Sequence, residues 1–259
     1  MARVIVDAGH GGFDNGASYE GRLEKDDNLN LALAVGNILR DNGVDVEFTR
    51  TEDVYQSPSA KARIANELGG DLLVSIHRNS AVEPNLYQGV QSLVYNKGGI
   101  SEAVGNDINE RLTLVGFDNL GVEERKNLAV LHQSSMPAVL VEVGFINSDE
   151  DNRILDNNFL ETADAIAQGI LSSFVNAMNT AKDQEEERIY SVQVRVFSNQ
   201  GNVMYFLEEL EEQGFQGFIV PMADLFSVQV GEFDQVDDAM KELSNLKKSG
   251  YEGMIVTLT

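Results

Sequence analysis

Apolar positions along this chain form short runs and helical stripes that alternate over its first two thirds. Arg3–Ala8 is a short apolar run closing at Gly9, the pattern of a buried parallel strand. Residues 26–41 place Leu29, Leu31, Leu33, Val35, Ile38 and Leu39 before an Asn42-Gly43 stop, which predicts a helix. Residues 44–49 and 71–76 predict strands. Between them, 57–68 predicts a helix capped by Ser57 or Ser59 and stopped by Gly69-Gly70. Further strands are expected at 88–95, 128–131 and 137–143, and helices at 101–115 and 159–178. Strands separated by helices predict an α/β domain, a mostly parallel sheet flanked by helices.

The pattern changes near residue 180. Residues 181–188 are polar, charged and without apolar periodicity, and read as a linker. Beyond them lies an internal repeat. Ser191-Val192-Gln193-Val194 recurs as Ser227-Val228-Gln229-Val230, an offset of 36 residues. The same offset maps Phe197 onto Phe233, Leu210 onto Leu246 and Gly214 onto Gly250 without a gap. Each copy reads strand, helix, glycine turn, strand. Two such units, each with one apolar face, predict a small α+β domain of βαβ-βαβ, ferredoxin-like type. The expected organisation is therefore a domain over 1–180, a linker over 181–188 and a second domain over 189–259. Alternation along the first strand of each copy predicts that Val192, Val194 and Val196 face the helices. Ser191, Gln193, Arg195 and Phe197 would then share the open face with Ser227, Gln229 and Phe233.

Composition narrows the function. Among 259 residues, 19 are basic and 42 acidic, a net charge of −23. The excess is spread over both parts, with 13 basic and 27 acidic residues over 1–180 and 6 and 15 over 181–259. A nucleic-acid binder needs a basic footprint that this chain lacks. There is no cysteine, which removes disulfides, thiolate nucleophiles and cysteine metal sites. No run reaches the ~20 apolar residues of a membrane span, so no stable membrane insertion is expected. The N-terminus enters a strand-like run directly, and no secretory signal is read there.

The three histidines limit where metal chemistry can sit. Zinc hydrolysis takes three ligands from His, Asp or Glu, with a nearby carboxylate to move the proton of a water. His10, in Asp7-Ala8-Gly9-His10-Gly11-Gly12, and His77, in Ser75-Ile76-His77-Arg78-Asn79, are both expected directly after strands. Ligands of open α/β sheets bind at such strand ends. Glu24 opens the first helix, but Asp14, Glu20, Asp26 and Asp27 rival it on spacing as the third ligand. Glu142 stands inside the apolar run from Val139 to Phe145, where a carboxylate is costly unless paired or functional.

These segments resemble the zinc-dependent N-acetylmuramoyl-L-alanine amidases of bacterial and phage cell-wall lysis, over roughly residues 3–176. The resemblance rests on Asp7 to Gly12, Leu23 to Asp26, Thr49-Arg50, Arg63 to Asn66, Ser75 to Asn79, and Pro137 through Phe145 followed by Asn147. It implies zinc held by His10, Glu24 and His77, and Glu142 as the general base. It also implies hydrolysis of the amide between N-acetylmuramic acid and the first L-alanine of the stem peptide. A catalytically silent wall binder, or a zinc peptidase cutting elsewhere in the stem, are the competing expectations. Asn79 and His132 are candidate substrate contacts. Arg78 departs from the pattern, because a small residue is more usual between that His and Asn. The second part resembles the SPOR domain, a peptidoglycan-binding module, through Phe226 to Phe233. Gln193, Arg195, Gln229 and Phe233 are the expected glycan contacts, with a homodimer face as the alternative use of that sheet. The resemblance implies an endolysin-type protein, cytoplasmic until release and acting at the cell wall, or extracellular if a leader has been removed.

Overall fold

The computed structural model describes residues 2–175, 177–178, 188–222 and 225–258. The chain divides into two compact units, Met1–Asn179 and Thr180–Thr259. The expected linker lies outside the described residues except for Arg188.

The first unit holds β1 (Arg3–Ala8), a small hairpin β2 (Ser18–Tyr19) and β3 (Arg22–Leu23), α1 (Glu24–Asp41), β4 (Asp45–Phe48), α2 (Pro58–Leu68), β5 (Leu72–Asn79), β6 (Val90–Val94) and α3 (Gly99–Val115). It continues with β7 (Asn119–Glu124), α4 (Ala129–His132), β8 (Ala138–Phe145), α5 (Asp149–Asn157) and α6 (Phe159–Ile170). A π-helical turn, Leu171–Val175, follows α6. The six-stranded sheet runs β4-β1-β5-β8-β6-β7. Its first four strands are parallel, β6 is antiparallel to β8, and β7 is parallel to β6.

Period-two alternation sorts the strand residues between two helical layers. Val4, Val6, Val74, Ile76, Val139 and Val141 are buried with α1, α3 and α6. Ile5, Leu73, Ala138 and Leu140 are buried on the other face with residues of α2 and α4. The N-terminus of α2 is fixed by the Ser57 hydroxyl, which accepts from the Ala60 N–H at 3.2 Å.

Two expectations are corrected here. Residues 128–131 do not form a strand; the segment is the short helix α4, packed against α2. A four-residue apolar run carries no period that separates strand from helix. The edge strand beside β6 is instead β7, whose alternation was hidden by Gly121 and a charged end. The segment expected to be mostly helix over 159–178 is helical, as α6 and the π-helical turn that continues it, and α5, not expected, precedes it, capped by Ser148 accepting from the Asp151 N–H. Finally, His77 is not past its strand, because β5 runs on through Asn79.

The second unit holds β9 (Ile189–Phe197), α7 (Gln200–Glu212), β10 (Gly217–Met222), β11 (Leu225–Phe233), α8 (Val236–Lys248) and β12 (Met254–Leu258). Shifting β9 and α7 by 36 residues reproduces the bounds of β11 and α8. The sheet order β10-β11-β9-β12, with antiparallel neighbours, is the ferredoxin-like arrangement expected from the repeat. The alternation does not hold along whole strands, however. The register shifts twice in the β11–β9 pair, between Val228/Gln229 and between Val230/Phe233. Each bulge adds a residue and turns the following side chains to the opposite face. Phe197 and Phe233 therefore pack against the helix-side core with Val192 and Val228, and Val196 is exposed. Arg195 lies over the rings of Phe197 and Phe206, with its guanidinium 5.9 and 5.0 Å from their centroids. Arg195 and Phe233 thus leave the face that alternation assigned them. Gln193 and Gln229 stay opposite each other in register. The Ser227 hydroxyl donates to Gln193 Oε1 at 3.1 Å.

Candidate active site and metal centre

The carboxyl ends of β1 and β5 and the start of α1 bring His10, Glu24 and His77 together. One ligand atom from each lies within 4.8 Å of the others. Glu24 Oε1 is the common point, 3.2 Å from His10 Nε2 and 2.9 Å from His77 Nδ1. Tetrahedral zinc with arms of about 2.0–2.1 Å needs ligand atoms roughly 3.3 Å apart. The spacing and the two-imidazole, one-carboxylate donor set both fit such an ion.

The surroundings fix each ligand's orientation. Glu24 Oε1 also accepts from Asn28 Nδ2 and the Arg78 N–H, each at 3.2 Å, and Oε2 accepts from the Ala17 N–H at 2.9 Å. Asp14 Oδ2 lies 2.9 Å from His10 Nδ1, which places the ring proton there and leaves Nε2 for a cation. His10 itself has a φ of 59°, a left-handed backbone conformation. Glycines make the approach close enough. A Cβ on Gly9 would stand 2.3 Å from His77 Cε1, and one on Gly16 2.5 Å from Glu24 Oε2.

Electrostatics agrees with the geometry. Burial raises the Glu24 carboxyl pKa, but hydrogen bonds and charge from His10 and His77 outweigh it and hold the group far below its ordinary range. Burial lowers the His10 pKa, yet Glu24 and Asp14 push it up to about 9. The carboxylates of Glu24 and Asp14 thus favour positive charge at His10, as a cation site requires.

Glu142 stands beside this cluster. In the parallel β5–β8 pair it is in register with His77 and points to the same sheet face as Leu140. Burial raises its pKa above the ordinary carboxylate value, against the opposing charge of His77. Its Oε2 is buried and has no hydrogen-bond partner among the described residues. An orphaned buried carboxylate oxygen is expensive, and its persistence points to a group awaiting water or substrate.

A cavity of about 440 Å³ joins these groups, lined by His10, His77, Asn79 and Glu142 and continuing past Lys61, Leu140 and Arg125. Asn79 is therefore at the site. His132 is not among the residues lining it. It ends α4, is exposed, and lines a separate hollow with Tyr95 and Met136. Arg78 points to the opposite sheet face from His77. It donates to Asp27 Oδ2 at 2.6 Å, Asn152 Oδ1 at 2.8 Å and the Phe145 carbonyl at 3.2 Å. The unusual residue therefore ties β5 to α1 and α5. Sequence reading missed Asp14 as the partner of His10, and missed Gln91 and Arg125 in the cavity wall. The four-residue spacing to His10 was the available sign for Asp14; Arg125 had none, because β7 was not recognised, and Gln91 lay on the expected strand over 88–95 with nothing local to set it apart.

Below these elements lies the Asp7–Lys61 pair. Asp7 is fully buried and accepts from Lys61 Nζ at 2.9 Å, from the Ser75 hydroxyl at 2.6 Å and from the Thr49 hydroxyl. Burial raises the Asp7 pKa, but Lys61 and the two hydroxyls overcome it and keep the group below its ordinary value.

Comparison with known proteins finds relatives for both units. Residues 4–172 match the family described as N-acetylmuramoyl-L-alanine amidase, and residues 186–257 match the SPOR domain. An N-acetylmuramoyl-L-alanine amidase of Bacillus licheniformis is 31% identical over 225 residues, covering 85% of each chain. The endolysin of Bacillus phage SPP1 is 37% identical over 178 residues, 66% of this chain and 65% of that one. The crystal structure of N-acetylmuramoyl-L-alanine amidase from Clostridium difficile 630 superposes with a TM-score of 0.63 at 32% identity, covering 68% of this chain and 97% of that one. An amidase of Nostoc punctiforme superposes with a TM-score of 0.60 at 35% identity, covering 66% and 96%. With a strand-end histidine and glutamate cluster in its first unit and a ferredoxin-like repeat in its second, this chain belongs to the N-acetylmuramoyl-L-alanine amidase family and is a peptidoglycan amidase with a C-terminal SPOR domain.

Proposed function

We propose that the amidase reaction runs at the cavity between His10, His77 and Glu142, with zinc held by His10, Glu24 and His77. When bound there, zinc supplies Lewis-acid polarisation of the scissile carbonyl and acidifies the attacking water. Asp14 keeps the proton on His10 Nδ1, and Asn28 and Ala17 hold the Glu24 carboxylate in place. Glu142 takes the proton of the attacking water at Oε2 and later delivers it to the departing amine of L-alanine. Its raised pKa suits a group that must both accept and donate that proton. The observation that carries this reading is the buried, unpartnered Glu142 Oε2 in register with His77. Asn79 lines the same cavity and is proposed to contact substrate.

The division of labour follows the two units: residues 1–180 cut the wall and residues 189–259 hold it. Gln193, half-buried on β9, is the proposed glycan contact of the SPOR unit, and Gln229, in register with it on β11, is buried. Arg195 and Phe233 are withdrawn from that role by their packing toward the helices. The place of action is the cell wall.

The test is Glu142→Gln, with release of free N-terminal alanine from purified walls and zinc by elemental analysis as readouts. The variant should keep its zinc and lose about 10²–10⁴-fold in rate. Near-full activity would remove Glu142 from the role of base. His10→Ala should lose both zinc and activity, and full zinc occupancy in it would break the ligand set.

A further inference from the structure

The turn that carries His10 also carries an exposed aromatic ring. Phe13 is 79% exposed and Tyr55 44%, and their rings stack at 4.0 Å between centroids, 28° from parallel. The pair is firmly mounted. Gly11 and Asp14 exchange backbone hydrogen bonds of 2.9 and 3.1 Å, which closes the turn with Phe13 at its tip. Such a turn keeps its ends within about 7 Å, so Phe13 stays beside His10 and Asp14. The Gly12 N–H donates to Asp53 Oδ1 at 2.7 Å, and Lys25 Nζ donates to the Gly12 carbonyl and to Asp53 Oδ2. A Cβ on Gly12, whose φ is 60°, would stand 2.7 Å from the Tyr55 amide nitrogen, so the two loops touch. Gln56, next to Tyr55, already lines the catalytic cavity.

We propose that the Phe13–Tyr55 pair is a platform for a pyranose ring of the glycan strand flanking the cleaved N-acetylmuramic acid. This rests on the amidase reading above and adds the direction in which the substrate lies. The C–H faces of sugars stack on aromatic rings without needing charge. The nearby cations are already taken, Lys25 by Asp53 and His10 by Asp14, so the platform favours an uncharged sugar ring over the carboxylates of a stem peptide. The loops bearing Phe13 and Tyr55 follow β1 and β4, on one side of β5 and β8, the strands that carry His77 and Glu142. On the other side, after β7, Arg125 lines the cavity wall, its guanidinium paired with Glu123. The glycan thus lies toward β4 and β1, and the stem toward β6 and β7.

The experiment compares two soluble substrates with the full zinc-loaded chain: a tetrasaccharide bearing one stem peptide, and the same stem on a single N-acetylmuramic acid. The wild-type protein should prefer the tetrasaccharide, and Phe13→Ala with Tyr55→Ala should raise its KM roughly tenfold. The single-sugar substrate should change less than about twofold, and Phe13→Trp should keep the preference. Zinc content and melting temperature identify a variant that has lost the site rather than the platform, and Tyr55→Leu then serves as the milder change. Equal losses on both substrates with zinc retained, or no loss on either, would overturn the platform. A wild-type protein that keeps zinc but cleaves neither substrate would overturn the amidase reading itself.

Discussion

Replacing Arg78 with Met separates a structural role from a substrate role at the position next to His77, with the side chain on the other side of the sheet. The Arg78 side chain has no accessible surface, and Asp27, its partner at 2.6 Å, is 14% exposed. The guanidinium also serves Asn152 Oδ1 and the Phe145 carbonyl. Burial pulls the Arg78 pKa down, and Asp27 opposes that, so this charge depends on its partners. Breaking a buried pair by removing one member costs about 3–5 kcal/mol. Asp27 keeps Arg22 at 2.7 Å, and Met refills part of the volume, which points to the lower end, about 3 kcal/mol. For a unit of this size that lowers the melting temperature by roughly 6–12 °C. The assay is calorimetry of the full chain, in which the transition of the amidase unit should move and that of the SPOR unit should not. Turnover well below the melting temperature should stay within a few-fold of wild type. An unmoved transition with activity lost would refute the reasoning and assign Arg78 to the substrate.

Three further outcomes follow from the same geometry. Asp14→Asn should weaken zinc binding about 10–100-fold, measured by chelator competition, because His10 loses the carboxylate that fixes its tautomer. Asp7 is held below its unfolded pKa, so its contribution to stability is fully present above about pH 4 and is lost as pH falls through the folded value. Asp7→Asn should therefore flatten the stability profile below about pH 4 in urea titrations; an unchanged slope would contradict the pair's role. Wall binding by the full chain should not weaken as salt rises, since a net charge of −23 gives no attraction to an anionic wall, and a steep loss in a pelleting assay would argue against recognition through Gln193.

Much of this protein is readable from its sequence because the signals are local. The apolar run to Ala8, the stripe from Leu29 to Leu39 and the 36-residue repeat each specify an element through its own periodicity. The costly acid in the run around Glu142 marks itself in the same way. The choice of third ligand was not local. Spacing left Asp14, Glu20, Asp26 and Asp27 beside Glu24, and resemblance singled it out. Folding assigns two of these rivals elsewhere: Asp14 faces the far nitrogen of His10, and Asp27 is taken by Arg22 and Arg78. Only the assembled sheet puts His77 in register with Glu142 and leaves one carboxylate oxygen without a partner. Only the assembled sheet, too, shows the bulges that turn Arg195 and Phe233 toward the helices. A bulge depends on pairing with a distant strand, whereas alternation is a property of one strand alone. The sequence by itself determined the elements whose periodicity is strong and which residue types could do chemistry. The tertiary structure decided which of them meet, because that depends on contacts between strands and helices far apart in the chain.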